Sequence, residues 1–512
     1  MKKEWHLFGL IFFIGFSSLV YEIYGTRVLF FFFTETDWAI TVGITAFLAG
    51  IAFSSLFFSS LSQKRLNSLM IIWIMQMAAG IYGYLFLQHY IFIPQLNDKI
   101  MLYVSSPLLV AIFKIVLMWL FLFVPAFFIG GSFPLINGLI VSNRRQNTTG
   151  LLYFWDTIGS LVGGVVTGFI LLPYYGFSFT CLLASGINFV LAILIGPKLV
   201  LRIIPAVFLA CIILISFRSG KSEFRNYLTE PSLSVRFGTI LFQKISPYGV
   251  VTIGNNVFGS QGLKGLFINY RGMCLSPSHE SESSLGRLAT QELPFDSRVL
   301  NIGLGCGFTA QSIALQSNVK YLDIVEINPV VVEATEQFFK KDNGDVTHSP
   351  KTNLIVEDGA VFIQRTKNKY NAVVVDIEEP TIITSSPLFT SEYIGMIHNI
   401  LLPDGILAFW IIAGNDNMNK VLYNTLKANF AFVYTRKIAG RFFTFYATDQ
   451  KRTALQPVTI EENKEVERIL KVKNFEINSL DHRVLEKFFD LNNAFNLPKN
   501  YQDPQAKLPI SY

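Results

Sequence analysis

The sequence is poor in charge. Only 15% of its 512 residues are Asp, Glu, Lys or Arg, while 51% are hydrophobic. A soluble globular chain carries about 25% charged residues. The shortage excludes a wholly soluble protein and a disordered one. Cysteine is scarce as well. Four residues are too few for a disulfide framework, which sets aside a disulfide-rich secreted protein. Cys181 and Cys211 lie in apolar runs and read as packing residues, and Cys274 and Cys306 have no CxxC spacing. The six histidines are scattered, and nothing has metal-ligand spacing, so no metal is expected. The first apolar run is too long, and lacks the small-x-small end, for a cleavable leader.

The shortage of charge is uneven. Residues 1–217 hold 11 Lys/Arg and 6 Asp/Glu, whereas residues 218–512 hold 31 and 30. The first part is membrane-like and the second has the composition of a soluble protein. The net charge of +6 divides as +5 and +1. A nearly neutral soluble half argues against a nucleic-acid partner.

A helix needs about 20 apolar residues to cross a bilayer. Runs near 7–33, 39–61, 68–94, 108–140, 151–175, 177–197 and 199–217 predict about seven spans. The run 108–140 contains Pro125, Gly130, Gly131 and Pro134, the makings of a span followed by a broken or re-entrant piece. Lys2 and Lys3, Lys64 and Arg65, and Arg144 and Arg145 fall on one side if the helices alternate. The positive-inside rule then puts the N-terminus in the cytoplasm, and an odd number of spans sends the second half outside. A cytosolic cofactor requires the opposite, and the expectation adopted is a cytoplasmic soluble domain. Charges inside spans mark candidate functional positions: Glu22 and Arg27 in the first run, and Asp156 in the fifth. The competing reading of Arg27 and Asp156 is snorkelling near the interface. The small residues of GSLVGG at 159–164 suit close helix packing.

From about Ser246 the pattern changes to short strands. Gly249–Ile253 and Gly265–Asn269 read as a small β unit. Arg298–Ile302, Tyr321–Glu326, Asn353–Val356, Ala372–Val375 and Gly405–Ile412 read as strands alternating with helices, one of them over Pro329–Lys341. This is the pattern of a parallel sheet covered on both faces. Ligands of such sheets bind beyond the carboxyl ends of the strands. There the sequence places Gly303, Gly305 and Gly307, then Glu326, then Asp358 and Gly359, then Asp376. The glycines let the backbone turn tightly and approach a ligand. Glu326, roughly 20 residues after the loop, is placed to accept from a ribose diol. Asp358 is a candidate acceptor for an adenine amino group, with Gly359 leaving room. G-x-G-x-G followed by Phe favours an S-adenosyl compound over a pyrophosphate. In the last segment a helix fits Asp481–Phe489, and three prolines then predict an irregular end.

Residues 298–412 resemble the spermidine synthases, the polyamine aminopropyltransferases. The resemblance rests on VLNIGLGCG, YLDIVEINPVVVEA, VEDGAVFI, YNAVVVDIEEP, LFTSEYIGMI and LLPDGILAF. GFSSLVYEIYGTRVL, GGSFPLI and LYFWDTIGSLVGGVVTGFILLPYYG resemble the membrane-fused branch of that family. The resemblance implies a multi-pass α-helical membrane domain (1–217), a linker (218–245), a small β unit (246–296), an α/β Rossmann-like S-adenosylmethionine-type transferase domain (297–450) and a polar tail (451–512). It implies that Asp376 helps deprotonate the attacking amine, that Glu379 helps hold a cationic amine together with Tyr393, and that Glu326 and Asp358 contact ribose and adenine. It also implies a bilayer and a small amine or polyamine as partners, and it admits a homodimer.

The departures lie at the amine end. Cys306 stands where soluble members carry an Asp, Gly249 follows Tyr248 where they have Gln, Ile268-Asn269-Tyr270 replaces a Leu-Asp-Gly turn, and the Tyr-His-Glu stretch falls in Glu282–Gly286 and is not preserved. Three functions are therefore expected. The first is transfer of aminopropyl from decarboxylated S-adenosylmethionine to putrescine or a related amine. The second is another S-adenosylmethionine-dependent transfer, such as methylation of an amine or lipid-borne acceptor. The third is a sensor or transporter that binds a nucleoside or polyamine without turnover.

Overall fold

The computed structural model describes residues 5–33, 37–62, 68–103, 107–141, 148–218, 237–246, 248–269, 271–277, 280–377, 380–381, 385–412, 416–438, 442–456 and 460–485. The chain divides into two units, residues 1–230 and 231–512.

The first unit is helical: α1 (Trp5–Phe33), α2 (Asp37–Ser62), α3 (Ser68–Tyr103), α4 (Pro107–Gly130), α5 (Ser132–Val141), α6 (Thr148–Val166), α7 (Gly176–Ile195) and α8 (Leu199–Arg218). Among the described residues, five stretches are long and apolar enough to cross a membrane, and Phe179–Ile195 and Leu199–Leu214 are shorter apolar helices. The run 108–140 is divided between α4 and α5, with the break at Gly130-Gly131. Pro134 falls in the first turn of α5, where its missing N–H costs nothing. Between α6 and α7 the chain winds as a π-helix over Thr167–Tyr175, which contains Pro173.

Two features hold the bundle together. Gly159 and Gly163 of α6 lie directly on the α1 backbone. A Cβ on Gly159 would stand 2.0 Å from the Phe12 carbonyl oxygen, and one on Gly163 2.4 Å from that of Phe16. Small residues four apart let two backbones approach in this way. The second feature is a set of buried polar bonds. The Tyr21 hydroxyl donates to the Ala79 carbonyl at 3.0 Å and the Ser185 hydroxyl to that of Gly80 at 2.6 Å, while Ser17 reaches Asn188 at 3.3 Å. These bonds tie α1, α3 and α7, and they satisfy groups that water does not reach. Glu22 and Arg27 are half-buried on α1. Asp156 packs on α1 from α6, with Oδ1 2.9 Å from where a Cβ on Gly15 would stand.

The second unit opens with a four-stranded antiparallel sheet, β1 (Thr239–Ser246), β2 (Gly249–Asn255), β3 (Lys264–Ile268) and β4 (Arg271–Ser276), in sequential order. Then come α9 (Glu280–Thr290), β5 (Ser297–Ile302), α10 (Phe308–Ala314), β6 (Val319–Glu326), α11 (Pro329–Phe338), β7 (Thr352–Val356), α12 (Gly359–Arg365), β8 (Tyr370–Val375), α13 (Ser391–Ile400), β9 (Leu401–Ile412), α14 (Asp416–Lys427), β10 (Phe432–Ile438), β11 (Phe442–Thr448) and α15 (Ile460–Lys471). The second sheet has the order β10-β11-β9-β8-β5-β6-β7. Strands β5 to β9 pair in parallel, and β10 and β11 close one edge antiparallel. Side chains alternate along the strands. Leu300, Ile302, Val373, Val375 and Phe409 pack with α13 and α14 on one face. Val299, Val374, Ala408 and Trp410 pack with α9 and α10 on the other. The chain leaves β5 in one direction to β6 and returns on its other side at β8. The sheet therefore has its switch point, and its ligand crevice, beyond the carboxyl ends of β5, β6 and β8.

The end of the described chain departs from expectation. Residues 481–485 form no α-helix. The Asn478 side chain donates to the Phe389 carbonyl at 3.0 Å and accepts from the Leu485 amide at 3.2 Å. These bonds hold the chain irregular while Val484 and Leu485 enter the core beside α13 and α14. The apolar residues read as a helix face serve instead as plugs. Residues 486–489 of that expected helix, the proline-rich end, Glu379 and the basic loop pairs lie outside the described residues.

The α1–α6 contact yields a test. Gly163→Ala, which presses a methyl group against the Phe16 carbonyl, should destabilise the detergent-solubilised protein by about 1–3 kcal/mol. Gly9→Ala, on the same helix α1 with nothing within 4 Å of its Cβ, should be neutral or slightly stabilising. Thermal midpoints of the two variants compare them directly.

Candidate active site

The site begins with a glycine loop between β5 and α10. Gly303 has φ +93° and Gly307 φ +84°, which L side chains rarely adopt. At Gly303 a Cβ would also stand 2.6 Å from the Asp376 carbonyl oxygen. The loop can thus lie against the end of β8 only with glycine at that position. Gly305 also has positive φ, and Gly307 caps α10.

Glu326, the last residue of β6, holds this loop. Its Oε2 accepts from the Leu304 amide at 2.9 Å and its Oε1 from the Asn328 amide at 2.8 Å. Burial pushes its carboxyl above the usual carboxylate range, opposed by the amide hydrogen bonds of Leu304, Asn328, Ile327 and Gly305. Asp358 caps α12, accepting from the Ala360 amide at 2.8 Å, and Gly359 lies buried against Ile302. Tyr393, in the first turns of α13, accepts at its hydroxyl from Gln364 of α12 at 3.1 Å.

Asp376 follows β8 directly. Its amide donates to the Ile302 carbonyl at 2.7 Å, which sets it beside the glycine loop. The side chain keeps a partial opening to solvent, but the protein packed around it withdraws water from the carboxylate. Burial first, then the charge of Glu282, and more weakly that of Glu326, raise its pKa to about 7. Hydrogen bonds from Thr309 and Trp410 act in the opposite sense. The indole Nε1–H of Trp410 donates to Oδ1 at 2.8 Å.

Glu282, Thr309 and Trp410 are site residues that the sequence did not single out. Glu282 is 7% exposed, in the first turn of α9. Its carbonyl accepts from the Thr309 hydroxyl at 3.2 Å, which fixes α9 on α10. The available signals were a carboxylate at a serine-rich helix start and its place in the stretch that aligns with the family's Tyr-His-Glu, and neither has a spacing that points to β8.

The cysteines require a correction. Cys274 of β4 and Cys306 of the glycine loop form a disulfide across a sequence separation of 32 residues. The fold lays β4 beside the loop, and no sequence spacing reports that proximity. The Cys306 carbonyl is also held, by Asn343 at 2.9 Å, and that of Gly305 by Thr335 at 2.5 Å. No group of metal-ligating side chains occurs among the described residues.

An open, mostly parallel sheet with a glycine loop at its switch point and acidic residues at successive strand ends is a Rossmann-like fold. Residues 279–445 match the family described as "Spermine/spermidine synthase domain". The chain carries a domain of that family. It is 30% identical over 161 residues to a polyamine aminopropyltransferase of Sulfolobus acidocaldarius, covering 30% of this chain and 53% of that protein. It is 23% identical over 414 residues to the polyamine aminopropyltransferase of Oceanobacillus iheyensis, covering 78% of this chain and 74% of that protein. The second alignment is longer than the C-terminal unit and so enters the helical unit, consistent with a fused branch of the family. A solved spermidine synthase in complex with the transition-state analogue AdoDATO aligns at a TM-score of 0.39 and 17% identity, over 52% of this chain and 87% of that one. That likeness is too loose to carry argument. The chain spans 53% to 66% of the length of the first curated relatives it matches.

Two tests follow from the site. A carboxyl whose folded pKa is about 7 keeps a proton that the unfolded chain releases above about pH 4. Stability from Asp376 is therefore greatest below that pH and declines as pH rises to 7. Asp376→Asn should match the wild type near pH 4 and exceed it at pH 8 by roughly 2–4 kcal/mol, read as thermal midpoints across pH. Separately, iodoacetamide should label Cys181 and Cys211 but not Cys274 or Cys306 in protein purified without reductant and then denatured. Mass spectrometry of the peptides reads the result.

Proposed function

We propose that this chain is a membrane-embedded aminopropyltransferase. It would transfer the aminopropyl group of decarboxylated S-adenosylmethionine to putrescine or a related amine. The observation that carries this reading is Asp376: a carboxylate at the strand end beside the glycine loop, with its pKa raised to about 7. A protonated amine cannot attack carbon, and a base whose pKa lies near the operating pH removes its proton best.

In the proposed reaction the neutral amine nitrogen attacks the carbon next to the sulfonium. The new C–N bond forms as the C–S bond breaks, and its electron pair stays on sulfur, which leaves as neutral methylthioadenosine. The proton of the amine goes to Asp376. Glu326 would hold the ribose hydroxyls, and Asp358 and Gly359 would border the adenine. Glu379 and Tyr393 would stand on the amine side. The crowding of Asp376, Glu326 and Glu282 supports a cationic donor and acceptor, because positive charge relieves their mutual repulsion. The helical unit would cross a cell membrane; a transferase unit on the cytoplasmic side has the donor at hand, whereas the Cys274–Cys306 disulfide suits an oxidising side.

Cys306 favours a second reading. A disulfide-bonded cysteine in the loop supplies no carboxylate for a donor amine, so the carboxylated donor and transfer of a methyl group fit better at that position.

Full-length protein in detergent, given decarboxylated S-adenosylmethionine and putrescine, should release methylthioadenosine, and Asp376→Asn should lower the rate by 10²-fold or more. Formation of S-adenosylhomocysteine from S-adenosylmethionine and a membrane extract would select the second reading. Binding of either nucleoside without any turnover would leave the sensor.

A further inference from the structure

Trp410 and Asp376 meet because of strand register. In the parallel pair β8–β9, Val375 stands opposite Phe409. One step further along, Asp376 and Trp410 are level and turn to the same face. Phe409 packs into the cluster beside α13 and Trp410 into the one beside α9 and α10, as the two-residue period of a strand requires. A one-residue slip of β9 would carry the indole to the wrong side. Trp410 is 4% exposed and stands opposite Thr444 of β11 in the other pairing of β9, so the register of β9 is fixed from both sides.

The chemistry of the contact is one-sided. An indole N–H donates and never accepts. Bonded to Oδ1 at 2.8 Å, it stabilises that oxygen as an acceptor whether or not the carboxyl is protonated. An incoming proton is therefore directed to Oδ2. The groups that bear on the same carboxylate are Glu282 from α9, Glu326 from β6 and the Thr309 hydroxyl from α10. The two glutamates oppose ionisation; the indole favours it, and so does the Thr309 hydroxyl when its single proton turns from the Glu282 carbonyl to the carboxylate.

We propose that Trp410 is a positioning residue for the transfer reaction, its indole N–H fixing Oδ1 of Asp376 so that Oδ2 receives the proton of the attacking amine. This rests on the reading of Asp376 as the proton acceptor, and the test separates the two.

The first arm needs no turnover. Intrinsic fluorescence of the full chain is followed from pH 5 to 9 in the wild type, Asp376→Asn and Trp410→Phe. The wild type should show a component with a midpoint near that of Asp376, at about 7, and both variants should lack it. A component that persists in Asp376→Asn overturns the pairing. That comparison stands even if Trp410→Phe does not fold.

The second arm is kinetic. With the donor and amine proposed above, Trp410→Phe should lower kcat about tenfold while the donor KM changes less than twofold. The acid limb of kcat/KM should move up by about one pH unit. A wild-type limb and kcat in this variant overturn the positioning role, because a residue that only fills space leaves the limb unmoved. Full turnover in Asp376→Asn would instead sink the proton-acceptor reading, and the positioning role with it, while the fluorescence arm still reports whether the pair exists.

Discussion

A buried carboxylate among peptide N–H groups is the interaction on which the C-terminal unit turns. Ionised carboxyl groups are costly to take out of water unless their lone pairs find donors. Glu326 finds them in the backbone of the glycine loop and of the turn after β6, with bonds of 2.9 and 2.8 Å. Hydrogen bonds to a charged group contribute about 1.5–3 kcal/mol each. The loop amides gain as much as the carboxylate does, because they lie where no strand or helix could pair them. Once the loop is fixed on β6, its first glycine meets the carbonyl of Asp376, and the end of β8 is set as well. Strand ends that are distant in sequence thus become one surface.

That surface is acidic and partly dry. Asp376 is raised by burial and by the neighbouring charges of Glu282 and Glu326. Crowding of the three carboxyls opposes their ionisation, and a positive charge beside them would relieve it. The helical unit answers the same constraint by other means. There, neutral side chains such as Tyr21, Ser185 and Asn188 bond to backbone carbonyls, and the close approach of α1 and α6 depends on glycines.

The strands of the parallel sheet were legible because each is a short apolar run ending in a carboxylate or glycine turn, and Ser297–Ile302, Val319–Glu326, Thr352–Val356 and Tyr370–Val375 lie within a few residues of expectation. The family was legible from the same strand ends. What the sequence hid depends on register and on contacts across the fold. Trp410 reads as one more apolar residue in an apolar strand, and only the pairing of β8 with β9 shows that it faces Asp376. Glu282 sits in a stretch that had lost the family's pattern, and the packing of α9 on α10 returns it to the site. The segment around Val484 and Leu485 has helical spacing, but Asn478 captures the backbone bonds that a helix would need.

The bond between Cys274 and Cys306 has a consequence beyond the shape of the loop. Glutathione keeps such pairs open in a reducing cytosol, whereas an oxidising compartment leaves them closed. When closed, β4, α9 with its Glu282, and the glycine loop belong to one covalent ring. When open, hydrogen bonds from Asn343, Thr335, Thr309 and the loop amides, with apolar packing, still hold that wall. The oxidation state of one thiol pair therefore records the redox poise of the compartment in which the domain matured.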